Sequence, residues 1–259
     1  VSVIETYATK EIDATEPLML YLAYPAPHTP WLPAPEYSGK SQAGMYGDFL
    51  VMVDAMIGRV LAALEKTDMT KDTLLVFTSD NGPVWYEEDV KRLDHDSSGG
   101  LRGMKADAWE AGHRMPFIVR WPGITEAGSV SDQTICFTDL LATLSKITDY
   151  PRKAHEGPDS YDFSGVLRGT HSADKPVRPN LVMRSGSGFM TVREGGWKLI
   201  EGLGSGGFSK PKRIESKPGG PTGQLYHLKE DPAETDNLFS KHPDIVRRLR
   251  TTLQTIVNS

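Results

Sequence analysis

The chain has 259 residues, of which 38% are hydrophobic, and a formal net charge of −5 at pH 7. This length suits one large α/β domain or a domain with a smaller appendage, and the acidic balance gives no electrostatic case for binding nucleic acid. No apolar run approaches the roughly 18 residues that cross a bilayer, and the single cysteine excludes an intrachain disulfide framework or a cysteine-based zinc cluster.

The chain opens at Val1 without a charged or strongly apolar leader, so these residues contain no export signal. Residues 1–10 have the pattern of a helix end that leads directly into a strand. We therefore expect a chain that begins within a structural element, as one cut from a longer protein would.

Hydrophobic patterning predicts an α/β domain in the first 150 residues. Short apolar runs at 18–24, 73–78 and 116–121 are typical of buried strands. Apolar residues at three-and-four spacing predict amphipathic helices over 49–64 and 137–147. This alternation indicates a mostly parallel sheet covered by helices, in which ligands bind at the carboxyl ends of the strands.

The amino-acid composition changes after Pro151. Residues 151–177 are rich in Pro, Asp, Gly and His and are predicted to form a linker. Four short antiparallel strands are predicted at 180–184, 189–193, 196–201 and 225–228, followed by a helix over 244–257. We therefore divide the chain into an α/β part over 1–177, which includes the linker, and a small α+β subdomain over 178–259.

Three groups of residues follow predicted strands and could carry chemistry. His28, held between Pro27 and Pro30, suits proton transfer or oxyanion binding, although a loop histidine bonded to nearby backbone is equally compatible with the pattern. Asp80 and Asn81 offer two hard oxygen donors for calcium or magnesium, and the alternative is a plain Asp-Asn-Gly turn. Lys105, on a glycine-flanked loop, could face a sulfate-like anion or be an ordinary surface lysine.

Three neighbouring residues have simpler interpretations. His113 and Arg114 could line a site, but an ion pair that braces the loop accounts for Arg114 equally well. Cys136 is predicted to lie in an apolar helix and is interpreted as a small core residue, since nothing beside it would lower its thiol pKa in an obvious way.

The order of these pieces is more specific than any one of them. Together they resemble the second half of the sulfatase family, which is arylsulfatase-like and belongs to the alkaline-phosphatase-like superfamily. The resemblance spans almost the whole chain and rests on Ala26-Pro-His-Thr-Pro30, Thr73-Leu-Leu-Val-Phe-Thr-Ser-Asp-Asn-Gly82, Gly103-x-Lys105, Glu110-x-Gly-x-Arg-x-Pro116, Phe137-Thr-Asp-Leu-Leu-Ala-Thr-Leu144, Gly196-Trp-Lys-Leu-Ile200 and Leu225-Tyr-His-Leu-Lys-Glu-Asp-Pro-Ala-Glu-Thr-Asp-Asn-Leu238.

The resemblance implies a fold and a set of roles. The expected fold is α/β, with part of an alkaline-phosphatase-like mixed sheet covered by helices and a C-terminal four-stranded antiparallel sheet. His28 would contact the sulfate and protonate the leaving oxygen, Asp80 and Asn81 would bind calcium, and Lys105 would bridge the sulfate and the ester oxygen. A sulfated small molecule or carbohydrate would be the substrate, and the family suggests a periplasmic or secreted location.

The sequence also departs from the family. The family's nucleophile is a formylglycine made in a Cys-x-Pro/Ala-x-Arg motif, whereas Cys136 is followed by Phe-Thr-Asp-Leu. The family's paired metal-binding aspartates and its Lys-x-His motif are also not found. We therefore expect a C-terminal portion that is inactive by itself. The alternatives are a phosphodiester or phosphonate hydrolase of the same superfamily and a non-catalytic binding module.

Overall fold

The computed structural model describes residues 1–9, 17–153 and 155–258. By internal contacts the chain divides into one compact unit of residues 1–75 and 120–123 and a second unit of residues 76–119 and 124–259. In chain order the helices and strands are α1 (Ser2–Thr9), α2 (Gly44–Lys66), β1 (Leu75–Thr78), α3 (Glu87–Leu93), β2 (Phe117–Arg120), α4 (Asp139–Ile147), α5 (Ser164–Leu167), β3 (Leu181–Arg184), β4 (Met190–Glu194), β5 (Trp197–Ile200), β6 (Gln224–His227) and α6 (Pro243–Val257).

The first unit is built on α1 and α2. Ile4 of α1 packs against Ala63 and Leu64 near the end of α2, and these three side chains are buried. An exposed ion pair between Glu5 and Lys66, 2.9 Å apart, lies beside this contact. The helix predicted from the apolar spacing over 49–64 is confirmed, and it extends for 23 residues. The helical start predicted over 1–10 is confirmed as far as Thr9, and residue 10 lies outside the described residues.

The buried strand predicted at 18–24 is wrong. These residues have no regular secondary structure, and Met19 and Tyr21 are 78% and 83% exposed. An apolar run becomes a buried strand only when neighbouring strands satisfy its backbone on both sides. Neither sheet formed by the described residues includes this segment.

Strands are present where they are predicted around 73–78 and 116–121, as β1 and β2, which pair in a two-stranded sheet. Their predicted burial is wrong, because Val76, Phe77 and Ile118 are exposed. The hydroxyl of Thr78, the last residue of β1, donates to the carbonyl of Pro116, the residue before β2, at 2.8 Å. This contact brings the end of β1 beside the start of β2. The start of the Asp80-Asn81 motif, which follows β1, is therefore held next to the start of β2.

The C-terminal part is a four-stranded antiparallel sheet in the order β3-β4-β5-β6, as predicted. Side chains alternate between the two faces of each strand. On one face, Val192, Leu199 and Leu225 pack against α6, whose residues Val246, Leu249 and Leu253 are buried there. On the other face, Ile200 and Tyr226 join a second cluster that contains Ala108 and Trp109. The sheet therefore supports the loop that follows Lys105.

The predicted linker contains a short helix, α5, and is fastened to α4. Buried Asp139 accepts backbone N–H groups from Cys136 and Tyr161 at 2.8 and 2.9 Å and pairs with buried Arg178. Cys136 lies three residues before α4 and is half-buried, so its predicted place within a helix is wrong. The residue range Asp139–Ile147 confirms the rest of that helix. The domain boundary at 177/178 stays a prediction.

Candidate active site

Asp80 and Asn81 lie directly beyond β1, in the second compact unit. Asp80 is exposed and Asn81 is half-buried. The Asn81 side-chain nitrogen donates to the Gly82 carbonyl at 2.9 Å, which leaves the amide oxygen as the atom that could bind a cation. A carboxylate oxygen and an amide oxygen on adjacent residues are the donor types that calcium prefers.

Gly82 fixes this motif against a second loop. Its N–H donates to the Gly112 carbonyl at 3.2 Å, and a Cβ atom at this position would lie only 1.7 Å from the Ala111 carbonyl oxygen. Only glycine allows so close an approach between two backbones. Backbone contact thus holds the Asp80-Asn81 turn against the second loop, in addition to the side-chain hydrogen bonds of Ser79 and Asn81 within the turn.

We predict that Gly82→Ala lowers the free energy of unfolding by about 1–3 kcal/mol, because the added methyl group forces the two loops apart. The measurement is urea unfolding followed by tryptophan fluorescence. Gly58→Ala is the matched control, because a Cβ atom at Gly58 meets nothing within 4 Å and alanine favours the helix there. An unchanged midpoint for Gly82→Ala would contradict the described approach.

Lys105 is brought to the same place by a backbone hydrogen bond. Its N–H donates to the Pro83 carbonyl at 2.7 Å, two residues beyond Asn81. Lys105 is half-buried. The loop that carries the predicted anion-binding lysine therefore runs alongside the predicted metal-binding motif, although 25 positions separate Asp80 from Lys105 in the sequence.

Buried Asp107 holds the turn that presents Lys105. One carboxylate oxygen, Oδ2, accepts the Met104 N–H at 2.9 Å, and the other, Oδ1, accepts the N–H groups of Phe208 and Ser209 at 2.7 and 3.1 Å. Ala106, which lies between Met104 and Asp107 in the sequence, has a φ of +72°, a left-handed conformation that is costly for alanine. The carboxylate offsets that cost by satisfying backbone donors on both sides.

A buried charge cluster anchors the other end of this loop. Lys198 on β5 is fully buried, and its Nζ lies 2.9 Å from Glu110 and 3.0 Å from Glu234. Arg114 and Arg193 also contact Glu110, at 3.3 and 3.6 Å. The ion pair expected for Arg114 is therefore confirmed. Glu234 additionally accepts the Glu110 N–H at 2.6 Å.

The pKa values of the two carboxylates in this cluster, Glu110 and Glu234, are shifted in opposite directions. Burial raises the pKa of Glu110, but attraction to Lys198, with help from Arg193 and Arg114, outweighs it and lowers the pKa to about 2. Burial raises the pKa of Glu234, and the Lys198 charge only partly offsets it. Glu110 is thus the ionised partner of Lys198 over the whole neutral range, and Glu234 is the carboxyl that gains a proton first.

His113 is a poor proton donor at neutral pH. Burial, and then repulsion from Lys198, lowers its pKa to about 4. Its Nε2 is buried and has no hydrogen-bond partner among the described residues. The ring is therefore neutral at pH 7, and we assign it no catalytic role.

His28 lies in an exposed turn of the first compact unit. Its N–H donates to the Pro25 carbonyl at 3.1 Å, and its ring Nδ1 lies 2.6 Å from the Thr29 carbonyl. A carbonyl only accepts, so Nδ1 carries a hydrogen and Nε2 is the nitrogen that can exchange a proton. The backbone contact expected of a plain loop histidine is therefore present, and it leaves one ring nitrogen available for chemistry.

A complete calcium site would need more ligands than this motif offers. Calcium takes about six to eight oxygen ligands, and Asp80 with Asn81 supplies two side chains. No group of three or more His, Cys, Asp or Glu side chains within the described ranges could hold a metal ion. The two donors are of the right chemical type and fit one side of such a site.

Sequence patterns alone did not single out Asp107, Lys198 and Glu234. Strand alternation could have drawn attention to Lys198, which lies two residues from buried Ile200 and so faces the same way. Asp107 and Glu234 carry no comparable signal. Their partners lie about a hundred positions away, with 101 between Asp107 and Phe208 and 124 between Glu110 and Glu234.

The α/β architecture and the polar motif beyond β1 place the chain among the alkaline-phosphatase-like proteins. The sulfatase family model matches residues 3–150, and the chain belongs to the sulfatase family. The resemblance read from the motifs and the predicted fold class are both confirmed. No described helix is long and apolar enough to cross a membrane.

Relatives are similar over most of the chain. An N-acetylgalactosamine-6-O-sulfatase of Bacteroides thetaiotaomicron is 33% identical over 93% of this chain and 47% of its own length. Human steryl-sulfatase is 35% identical over 59% of this chain and 26% of its own length. A solved sulfatase structure from Bacteroides thetaiotaomicron, described in connection with glycosaminoglycan metabolism, has a TM-score of 0.84 and 31% identity, and it covers 100% of this chain and 52% of that one. The chain therefore spans about half the length of the bacterial relatives.

Proposed function

We propose that this chain is the C-terminal portion of an enzyme that hydrolyses sulfate esters, in which R–O–SO₃⁻ and water give the alcohol, sulfate and a proton. The observation that carries the proposal is the hydrogen bond from Lys105 to Pro83. It brings a lysine suited to an anion beside two oxygen donors suited to a cation. The domain division at 177/178, with the α/β part before it, belongs to the same proposal.

Each predicted residue has a role in the proposed reaction. Asp80 and Asn81 would hold calcium, which supplies positive charge to the sulfate oxygens when bound. Lys105 would stabilise negative charge on the sulfate and on the ester oxygen. His28 would give the proton on Nε2 to the departing oxygen, while the Thr29 carbonyl keeps Nδ1 protonated.

The nucleophile would come from residues outside these 259. Formylglycine is made in a Cys-x-Pro/Ala-x-Arg motif, which this sequence does not contain. The share of the bacterial relative that the chain covers, 47%, leaves room for such a segment in the relative. The same segment would supply the further metal ligands.

The bacterial relative supports a sulfated carbohydrate as the substrate, and the family resemblance suggests a periplasmic or secreted location. The bacterial relative is described as acting on N-acetylgalactosamine carrying a 6-O-sulfate. An Asp-Asn pair, with His28 as the one histidine among the predicted site residues, favours a calcium sulfatase over a phosphodiester or phosphonate hydrolase, for which more metal-binding histidines are expected.

The test is a comparison of lysine variants in the active enzyme that contains this chain. We expect Lys105→Ala to lower kcat/KM for nitrophenyl sulfate by about 10²–10³-fold, because it removes a charge that stabilises the transition state. Lys229→Ala, at an exposed position of the same unit, should leave the rate unchanged. Nitrophenyl phosphonate esters, assayed in parallel, should react far more slowly.

Metal dependence provides a second measurement. Chelation should abolish turnover, calcium should restore it, and Asp80→Asn should raise the calcium concentration needed. The 259-residue chain assayed alone gives the baseline, at which we expect no turnover. Full activity of Lys105→Ala, or a preference for the phosphonate ester, would overturn the proposed function.

A further inference from the structure

Residues 202–223 form an ordered loop between β5 and β6. The loop folds on itself through backbone hydrogen bonds, from Ser205 to Pro211 at 3.0 Å, from Gly206 to Lys212 at 2.8 Å and from Ile214 to Leu203 at 2.9 Å. The buried carboxylate of Asp107 holds its tip at Phe208 and Ser209. A loop fixed in this way presents its side chains without an ordering cost when a ligand binds.

The loop is strongly cationic although the protein is acidic. Lys210, Lys212, Arg213 and Lys217 are exposed, and Glu215 is the one acidic residue among positions 202–223. No ion pair involves any of these four cations within the described part of the chain; Arg213 stacks on the Phe189 ring, 4.6 Å from its centroid. Four cations against one carboxylate attract an anionic ligand to this surface.

A cavity of about 390 Å³ adjoins these cations. This volume lies within the roughly 300–1,000 Å³ typical of small-molecule sites. The polar groups that line it include Arg213, Glu215, the Ser216 and Thr222 hydroxyls and Glu201, and Phe189 supplies an aromatic surface. Arg250 already pairs with Glu201, at 2.7 and 2.9 Å. Hydroxyl and carboxylate partners together with one guanidinium suit a ligand with several hydroxyl groups and one negative charge, which describes an anionic sugar.

The cavity and the loop are joined to the segment that carries Lys105. Asp107 bonds to both the Lys105 turn and the loop tip. Phe189 packs in the same buried cluster as Ala108 and Trp109, three and four residues after Lys105. Any ligand bound at Arg213 is therefore held at a fixed position relative to Lys105.

We propose that Arg213, Glu215 and the cavity beside them bind a second, negatively charged sugar residue of an oligosaccharide substrate, with Lys210, Lys212 and Lys217 attracting the rest of that chain. This subsite rests on the proposed sulfatase function. It makes the substrate an anionic oligosaccharide and not a single sulfated sugar.

The experiment measures binding of a fluorescent chondroitin 6-sulfate hexasaccharide to the purified chain by anisotropy, at about 0.15 M salt, where distant exposed charges are largely screened. We expect Arg213→Gln to raise the Kd about tenfold, as the loss of one charge-assisted hydrogen bond would. Lys210→Gln, Lys212→Gln and Lys217→Gln combined should raise the Kd about fivefold and reduce its salt dependence. N-acetylgalactosamine 6-sulfate alone should bind much more weakly.

The matched control for the triple lysine variant combines Lys146→Gln, Lys229→Gln and Arg247→Gln. It also removes three positive charges, but from exposed positions elsewhere in the same unit. It should keep the wild-type Kd. An equal loss in the control would mean general attraction of polyanions and would overturn the subsite, as would an unchanged Kd for Arg213→Gln. If Arg213→Gln lowers the Tm, Arg213→Lys and Glu215→Gln replace it, and both should weaken binding at an unchanged Tm.

A comparison of Lys105→Ala with Arg213→Gln separates the subsite from the proposed reaction. Lys105→Ala should lower ester hydrolysis in the active enzyme by about 10²–10³-fold while changing hexasaccharide affinity less than Arg213→Gln does. If Lys105→Ala slows sulfate release but Arg213→Gln leaves the hexasaccharide Kd unchanged, only the subsite proposal is wrong. If Arg213 controls binding but no ester is hydrolysed, the proposed reaction is wrong and the glycan site stands.

Discussion

Lys198→Met is expected to lower the free energy of unfolding by about 3–5 kcal/mol at neutral pH, the usual cost of leaving a buried charge without its partner. Lys198 is fully buried between Glu110 and Glu234, and methionine fills a similar volume without a charge. Urea unfolding of the chain, followed by tryptophan fluorescence, measures the change. Lys241→Met, in an exposed pair with Asp236, is the matched control and should leave the unfolding curve nearly unchanged.

The cost of Lys198→Met should depend on pH. The pKa of Glu110 falls from its usual 4.5 to about 2 in the fold, so the stability it contributes is complete above about pH 4.5 and is lost as the pH falls towards 2. Without Lys198, Glu110 loses the largest of the attractions that lower its pKa, because Arg193 and Arg114 contribute less. The gap between wild type and variant should therefore narrow between about pH 4.5 and 2. Adding Glu110→Gln and Glu234→Gln to Lys198→Met should recover stability at neutral pH, and a pH-independent gap without recovery would contradict the ion-pair account.

His28→Ala should lower kcat by about 10²–10⁴-fold for an unactivated alkyl sulfate in the active enzyme that contains this chain, with little change in KM. The reason is that a proton donor acts on the leaving oxygen as the ester bond breaks. A nitrophenyl sulfate should lose much less activity, since nitrophenolate leaves without a proton. The measurement is the ratio of the two losses, taken from initial rates of sulfate release.

Two comparisons make the result for His28 specific. His155→Ala, at another exposed histidine, should leave both rates unchanged. His28→Gln retains a polar side chain and should behave like alanine, because glutamine has no proton to give at neutral pH. Equal losses on the alkyl and nitrophenyl esters would show that His28 only positions the sulfate.

Local patterns in the sequence were sufficient to predict most of the helices and strands. The apolar face of α2 repeats over about four turns, and the alternation in β4 and β5 places Val192 and Leu199 on one face. Residues 18–24 show where this logic fails. Their composition indicates burial, but a strand forms only where other strands supply its hydrogen bonds, and that information does not lie in the segment itself.

The candidate site was predicted in part. The pattern predicted Asp80 and Asn81 directly beyond β1 and Lys105 on a glycine-flanked loop. The hydrogen bond from Lys105 to Pro83 could not be predicted, because it depends on how the segment between Asp80 and Lys105 folds back. The buried charges of Lys198, Glu110 and Glu234 could not be predicted from the sequence as a cluster. A lysine in a strand is usually exposed, and the two carboxylates that allow Lys198 to be buried are contributed by distant loops.

Asp107 holds the tip of the cationic loop through main-chain amides, because its carboxylate accepts the N–H groups of Phe208 and Ser209. Side chains at 208–217 can therefore be exchanged while the anchor persists, provided that the spacing from Ser205 to Ser209 is kept. A deletion or insertion inside that short stretch would release the tip. Given the proposed subsite, exchanging this segment between homologues should change which glycan binds. The turn that presents Lys105 should keep its conformation, because the exchanged side chains do not form the Asp107 contact.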